Sequence, residues 1–202
     1  MKKYITIIFA LVGLFAKAQV TTIAVGNAAP DFKLKNVDNK EISFASYPKA
    51  NGFIVVFTCN TCPVSKAYEQ RIIDLNKKYA PLGYPVIAIN PNDPEVSKGD
   101  SFEKMQELAN EKKYAFSYLF DEGQVITNLY GAKSTPHVFV VSKTKKGNII
   151  EYTGAIDNDR EETNATSTKY VEQVITALSK NEKPAVTATK AIGCTVKRKA
   201  TN

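Results

Sequence analysis

The chain has 202 residues, 44% apolar and 23% charged, a globular composition that argues against a disordered or fibrous protein and leaves room for one domain or two small ones. The formal charge of +7 comes from the ends: Lys2, Lys3 and Lys17 near the start, and Lys183, Lys190, Lys197, Arg198 and Lys199 in a final stretch without acids. The body is therefore close to neutral, which argues against a basic nucleic-acid groove, and a single histidine excludes a multi-histidine metal site.

Met1–Ala18 reads as a signal peptide. Lys2 and Lys3 form a positive start, Ile5–Phe15 carries no charge, and Ala16-Lys17-Ala18 supplies a small-x-small cleavage pattern before Gln19. The uncharged run would make about 16 Å of helix, roughly half a bilayer core, so it is not a comfortable spanning segment. No later stretch is long and apolar enough to span. The expected product is not a transmembrane protein. It begins at Gln19 and is exported to a periplasmic or extracellular compartment that tolerates disulfides.

Val25–Leu34 is an irregular entry and Glu41–Phe44 a short strand. Phe53–Thr58 is a continuous apolar run that suits a strand buried on both faces. Cys59-Asn60-Thr61-Cys62-Pro63 follows it directly. Val64, Tyr68, Ile72, Leu75 and Tyr79 then recur at helical spacing, with Pro63 suited to the first turn and Pro81 and Gly83 ending the helix. Val86–Ile89 is a second buried strand, and the turn-rich loop Asn90–Asp100 leads to a helix capped by Ser101. Phe116–Phe120 is a third strand and Val125–Tyr130 a short helix. His137–Ser142 and Ile149–Thr153 form a hairpin across Gly147, and a last helix starts near Ser167. Alternating strands and helices followed by a hairpin imply an α/β layer with a mixed sheet. The expected division is a leader at 1–18, a domain at 19–180 and a basic tail at 181–202 without clear period.

The C-x-x-C pair sits where a buried strand meets a helix start. Unpaired N–H groups and a partial positive charge there favour a thiolate over a thiol. Cys59 is therefore expected to be the attacking thiol, with Cys62, one turn on, resolving the mixed disulfide. Oxidation would close a Cys59–Cys62 disulfide.

The sequence resembles the thioredoxin-like superfamily, in its redoxin (alkyl hydroperoxide reductase/thiol-specific antioxidant) branch. The residues that carry the resemblance are Gly26, Ala29-Pro30-Asp31-Phe32, Leu34, the strand into Cys59–Pro63, Ala88-Ile89-Asn90, Leu119-Phe120-Asp121, Tyr130-Gly131 and Thr135-Pro136. The resemblance implies a thioredoxin-like fold, a central mixed β-sheet flanked by helices, here with an N-terminal extension. It also implies a cis Thr135–Pro136 bond whose loop offers backbone hydrogen bonds to an extended substrate, and a thiol reductant such as a membrane thiol carrier. Three departures stand out. Asn60-Thr61 replaces the usual Gly-Pro, Thr58 replaces a Trp, and Phe53 replaces a buried acid. The peroxidase threonine expected three residues before the reactive cysteine is also missing: counting back from Cys62 gives Cys59, and Thr58 lies one residue too early.

Cys194, in a Gly-Cys-Thr-Val-Lys ending that relatives in this branch resemble, is either a third redox thiol or a spare tail thiol. His137 could tune Cys59 or complete a Cys59/Cys62/His137 soft-metal site, or simply begin a strand. Lys66 and Arg71 could support a thiolate or be solvated helix charges. The leading expectation is an exported thiol–disulfide oxidoreductase acting on protein disulfides, with no metal and no cofactor beyond its redox-active disulfide. The alternatives are a thiol peroxidase with antioxidant activity and a Cu(I)-binding, metallochaperone-like module.

Overall fold

The computed structural model describes residues 21–199; the expected leader lies outside the described residues. The strands are β1 (Leu34–Asn36), β2 (Glu41–Ile42), β3 (Gly52–Phe57), β4 (Val86–Asn90), β5 (Ser117–Phe120), β6 (Ser134–Thr135), β7 (His137–Thr144), β8 (Gly147–Gly154) and β9 (Cys194–Thr195). The helices are α1 (Pro63–Tyr79), α2 (Phe102–Glu111), α3 (Val125–Tyr130) and α4 (Tyr170–Ser179).

Seven strands form one mixed sheet in the order β2-β1-β5-β4-β3-β7-β8. The β3–β4 and β4–β5 pairs are parallel, whereas β1, β2, β7 and β8 pair antiparallel. The apolar run becomes the central strand β3, with Phe53 through Phe57 all at 0% exposure. Its side chains alternate between two cores, as strand periodicity requires. Phe53, Val55 and Phe57 face Phe32, Phe44, Ile126 and Tyr130. Ile54 and Val56 face Tyr68, Ile72 and Leu75 of α1 and Val171, Val174 and Ile175 of α4. Each such side chain contributes about 1.5–3 kcal/mol by leaving water. The two cores fix β3 from both sides, and so fix the point where its C-terminal end releases the cysteine loop.

The structure adjusts several expected boundaries. The strand expected at Glu41–Phe44 ends at Ile42, and Phe44–Ser46 forms a single 3-10 turn. The last helix begins at Tyr170 rather than near Ser167. Leu34–Asn36 is an unexpected strand; three residues are too few for period 2 to register in the sequence.

The tail departs most from expectation. It is not a loose extension: it runs back over the domain. Thr153 N–H donates to the Thr187 carbonyl at 3.1 Å and Thr189 N–H to the Thr153 carbonyl at 3.0 Å. Farther on, β9 pairs antiparallel with β6, with Thr135 opposite Cys194 and Ser134 opposite Thr195. Backbone pairing with a distant strand needs no hydrophobic period in the tail itself, which is why the sequence concealed it.

Candidate active site

Cys62 is the N-cap of α1 and Pro63 its first residue. Cys59 thus sits in the loop between β3 and α1, before the helix rather than in its first turn. Cys59 and Cys62 are both buried, at 5% exposure. The Cys59 sulfur lies 3.1 Å from the Thr135 hydroxyl and 3.7 Å from that of Ser65. The Cys62 sulfur lies 3.3 Å from the Thr135 carbonyl oxygen. The Thr135–Pro136 bond is cis, so the loop that carries Thr135 stands against both cysteines.

The expected Cys59–Cys62 disulfide is replaced here by another pairing. Cys62 is joined to Cys194, 132 residues away, and Cys59 is the free thiol. The reason is positional. Pairing of β9 with β6 lays Cys194 opposite Thr135, and Thr135 already faces Cys62. Cys194 is therefore not a spare tail thiol.

The pair between the cysteines is held by a buried polar network that sequence reasoning missed. Asp100, at 0% exposure, accepts from the Asn60 amide N–H at 2.7 Å, the Thr61 hydroxyl at 2.6 Å, Asn92 Nδ2 at 2.9 Å, Ser97 Oγ at 2.6 Å and Asn90 Nδ2 at 3.2 Å. Tyr118 donates its hydroxyl to Asn60 Oδ1 at 2.7 Å. Burial pushes the Asp100 carboxyl up, but hydrogen bonds from Ser97, Thr61, Asn92 and Asn60 outweigh it and hold it below the usual aspartate value of 3.8. The only available signal was the density of turn residues between Asn90 and Asp100, which marks a loop but not its target. Burial, followed by the field of Cys59, raises the Tyr118 hydroxyl well above its usual range, so it stays a proton donor.

A small cavity of about 20 Å³ lies beside Cys59, lined by Ser65, Glu69, Tyr114 and Tyr118 among others; it has room for about one water. A larger cavity, about 870 Å³, is lined by Asn51, Tyr84, Ser142 and Leu178 among others, with no cysteine in its lining.

His137 begins β7 but serves neither role suggested for it. Its Nε2 meets Thr153 Oγ1 at 2.9 Å, its ring lies against Phe139, and Nδ1 has no hydrogen-bond partner among the described residues. Burial, helped by Lys133, lowers its pKa to about 4, so the ring is neutral. Arg71 is turned away from the thiols: it pairs with Asp157 at 2.7 Å and stacks on Tyr68. Lys66 is exposed. Among the described residues no three His, Cys, Asp or Glu side chains gather as a metal site, and the disulfide ties up Cys62.

Residues 25–152 match the model of the AhpC/TSA family. The chain belongs to that family. The redoxin is 24% identical over 126 residues to the thiol-disulfide oxidoreductase ResA of Geobacillus thermodenitrificans, over 62% of this chain and 68% of that protein. A crystal structure of an uncharacterized conserved protein from Geobacillus kaustophilus superposes with a TM-score of 0.81 at 29% identity, covering 89% of the redoxin and 94% of that chain. The pneumococcal exposed lipoprotein thioredoxin of Streptococcus pneumoniae, at 20% identity and a TM-score of 0.51 over 65% of the redoxin and 93% of that chain, shares the fold. The architecture is thioredoxin-like: a mixed central sheet with flanking helices, as the resemblance implied. Among the described residues no helix is long and apolar enough to cross a membrane.

Proposed function

We propose that this oxidoreductase reduces disulfides in other proteins through a relay of Cys59, Cys62 and Cys194. In the reduced chain the Cys59 thiolate attacks a substrate disulfide, forming a Cys59–substrate bond and releasing one substrate thiolate. Cys62 then attacks the Cys59 sulfur, closing Cys59–Cys62 and releasing the second substrate thiol. Cys194 attacks Cys62 in turn, closing Cys62–Cys194 and returning Cys59 to the thiol form. Every step breaks one S–S bond, makes one, and expels one thiolate. A dithiol reductant must then reopen Cys62–Cys194, leaving that reductant as a disulfide; a membrane thiol carrier would serve.

The observation that carries this reading is the arrangement around Thr135. A free Cys59 and a bonded Cys62 both face that residue, whose loop is the edge along which an extended substrate would lie. A closed disulfide also suits a compartment outside the cytoplasm, in keeping with the leader read in the sequence.

The test is dithiothreitol-driven reduction of insulin. The wild-type chain should accelerate it, and Cys59→Ser should return the rate to background. Equal rates for wild type and Cys59→Ser would refute the assignment. The direction follows from the reduction potential of the purified chain: about −270 mV marks a reductant and about −120 mV an oxidant.

A further inference from the structure

The tail does more than deliver a cysteine. Its backbone forms a short antiparallel ladder with Ser134–Thr135, extended by Val196 N–H donating to the Lys133 carbonyl at 3.1 Å. Val196 is buried at 4% exposure. The Lys197 backbone is gripped from both sides: its N–H donates to Asn92 Oδ1 at 2.9 Å, and its carbonyl accepts from Asp93 N–H at 3.0 Å and Gln124 Nε2 at 2.8 Å. Arg198 donates to Asn128 Oδ1 at 2.6 Å and Gln124 Oε1 at 3.2 Å. Before the cysteine, a methyl group on Gly193 would come within 2.2 Å of the Thr135 carbonyl oxygen and 2.5 Å of its carbon. These are backbone atoms at the cis-proline turn, so they cannot yield as a flexible side chain would.

An extended strand added to an exposed edge is a general mode of peptide recognition, with affinity from the main chain and selectivity from pockets for alternate side chains. We infer that residues 190–199 are a resident copy of the partner strand. The Ser134–Thr135 edge takes an extended peptide whose cysteine follows a glycine and precedes, two residues on, a buried aliphatic side chain and then basic residues. The chain's own tail fills that site while Cys62–Cys194 is closed. The inference rests on reading the chain as an exchange enzyme for protein disulfides, since that reading makes the same edge the seat of an incoming strand. Reduction of Cys62–Cys194 by a dithiol frees both thiols, ends the covalent tether, and lets an outside strand compete with the tail. Until then the tether keeps the tail at an effective concentration that a free peptide cannot match.

The test is a binding measurement on the full chain, separate from turnover. The probe is a fluorescein-labelled peptide of residues 190–199 with serine in place of the cysteine, in a non-thiol reductant. Two full-length variants undock the tail: Cys194→Ser with Val196→Asp, and Cys194→Ser with Gly193→Val. The peptide should bind both undocked variants, and should not bind the oxidised wild-type chain. An otherwise identical peptide with alanine for the glycine should bind about tenfold more weakly or worse, as expected for overpacking against fixed backbone. No binding to either variant up to about 1 mM would overturn the inference. Equal binding to the oxidised wild type, or equal binding of the glycine and alanine peptides, would also overturn it. Failure of the wild-type chain to accelerate insulin reduction would instead count against the exchange reading, and leaves the binding result to stand on its own.

Discussion

The buried carboxylate of Asp100 accepts the Thr61 hydroxyl at 2.6 Å and so fixes the residue directly before Cys62. With the Asn60 amide on its other oxygen, Asp100 sets the shape of the C-x-x-C loop from a distance of 40 residues in sequence. Asn92 joins the same carboxylate to the backbone of Lys197. The loop between the cysteines and the docked tail are therefore held by one set of hydrogen bonds.

Asp100→Asn places a donor among groups that already donate. It should cost about 2–4 kcal/mol of stability in urea unfolding and speed alkylation of Cys59. A free energy within about 0.5 kcal/mol of wild type would show that the network does not hold the loop. The folded pKa of Asp100 lies below its usual 3.8. Its contribution is thus complete above about pH 4 and fades as pH falls through the folded value.

Thiol counting reads the pairing directly. Oxidised wild-type chain, unfolded in acid and titrated, should show one thiol per chain, that of Cys59, and a non-reducing digest should yield a Cys62–Cys194 linked peptide. In Cys194→Ser the count should fall to zero as Cys59 and Cys62 close on each other. A wild-type digest containing Cys59–Cys62 as the main product contradicts this.

The Cys62–Cys194 bond closes a loop of 132 residues. Opening it with a non-thiol reductant should lower unfolding stability by about 2–5 kcal/mol, as loop-closure entropy returns to the unfolded chain. An unchanged denaturation midpoint would mean that the bond does not stabilise the fold by constraining the unfolded chain.

His137 should make the fold acid-sensitive. Its folded pKa is about 4, against an ordinary value of 6.5. As pH falls from 6.5 toward 4, the unfolded chain takes up a proton that the folded chain resists, so stability drops across that window. The loss should reach about 2–3 kcal/mol by pH 4.5. In His137→Phe this part of the pH dependence should disappear, and a profile parallel to wild type would assign the effect elsewhere.

Arg71 and Asp157 form a pair with side chains 12% and 6% exposed, and Tyr68 donates to the same carboxylate at 2.9 Å. Arg71→Met strands the aspartate and should cost about 3 kcal/mol or more in chemical denaturation. Insulin reduction at 25 °C should persist, because Arg71 faces away from the cysteines; loss of activity in a folded variant would place it in the site.

The parts of this fold that announce themselves in sequence are those where one short segment carries its own pattern. Phe53–Phe57 is apolar at every position because both faces are covered. Tyr68, Ile72, Leu75 and Tyr79 repeat at helical spacing because one face is covered. Cys59 and Cys62 are visible for the same reason, being three residues apart at a strand-to-helix junction. Features made by meetings between distant segments were hidden. Asp100 looked like one more turn residue in Asn90–Asp100. The tail's Thr, Ala and Lys residues gave no period, because its anchors are backbone groups and one sulfur. The disulfide expected from proximity in sequence, Cys59–Cys62, therefore gave way to one set by strand pairing.

The 132-residue separation between Cys62 and Cys194 also bears on how the bond first forms. If the chain enters an oxidising compartment N-terminus first, the C-x-x-C pair arrives before its distant partner. An oxidant that meets the nascent chain can close only the short ring. The long-range bond must then arise by internal reshuffling once the last residues arrive, so the newborn molecule performs on itself the same exchange it is proposed to perform on others.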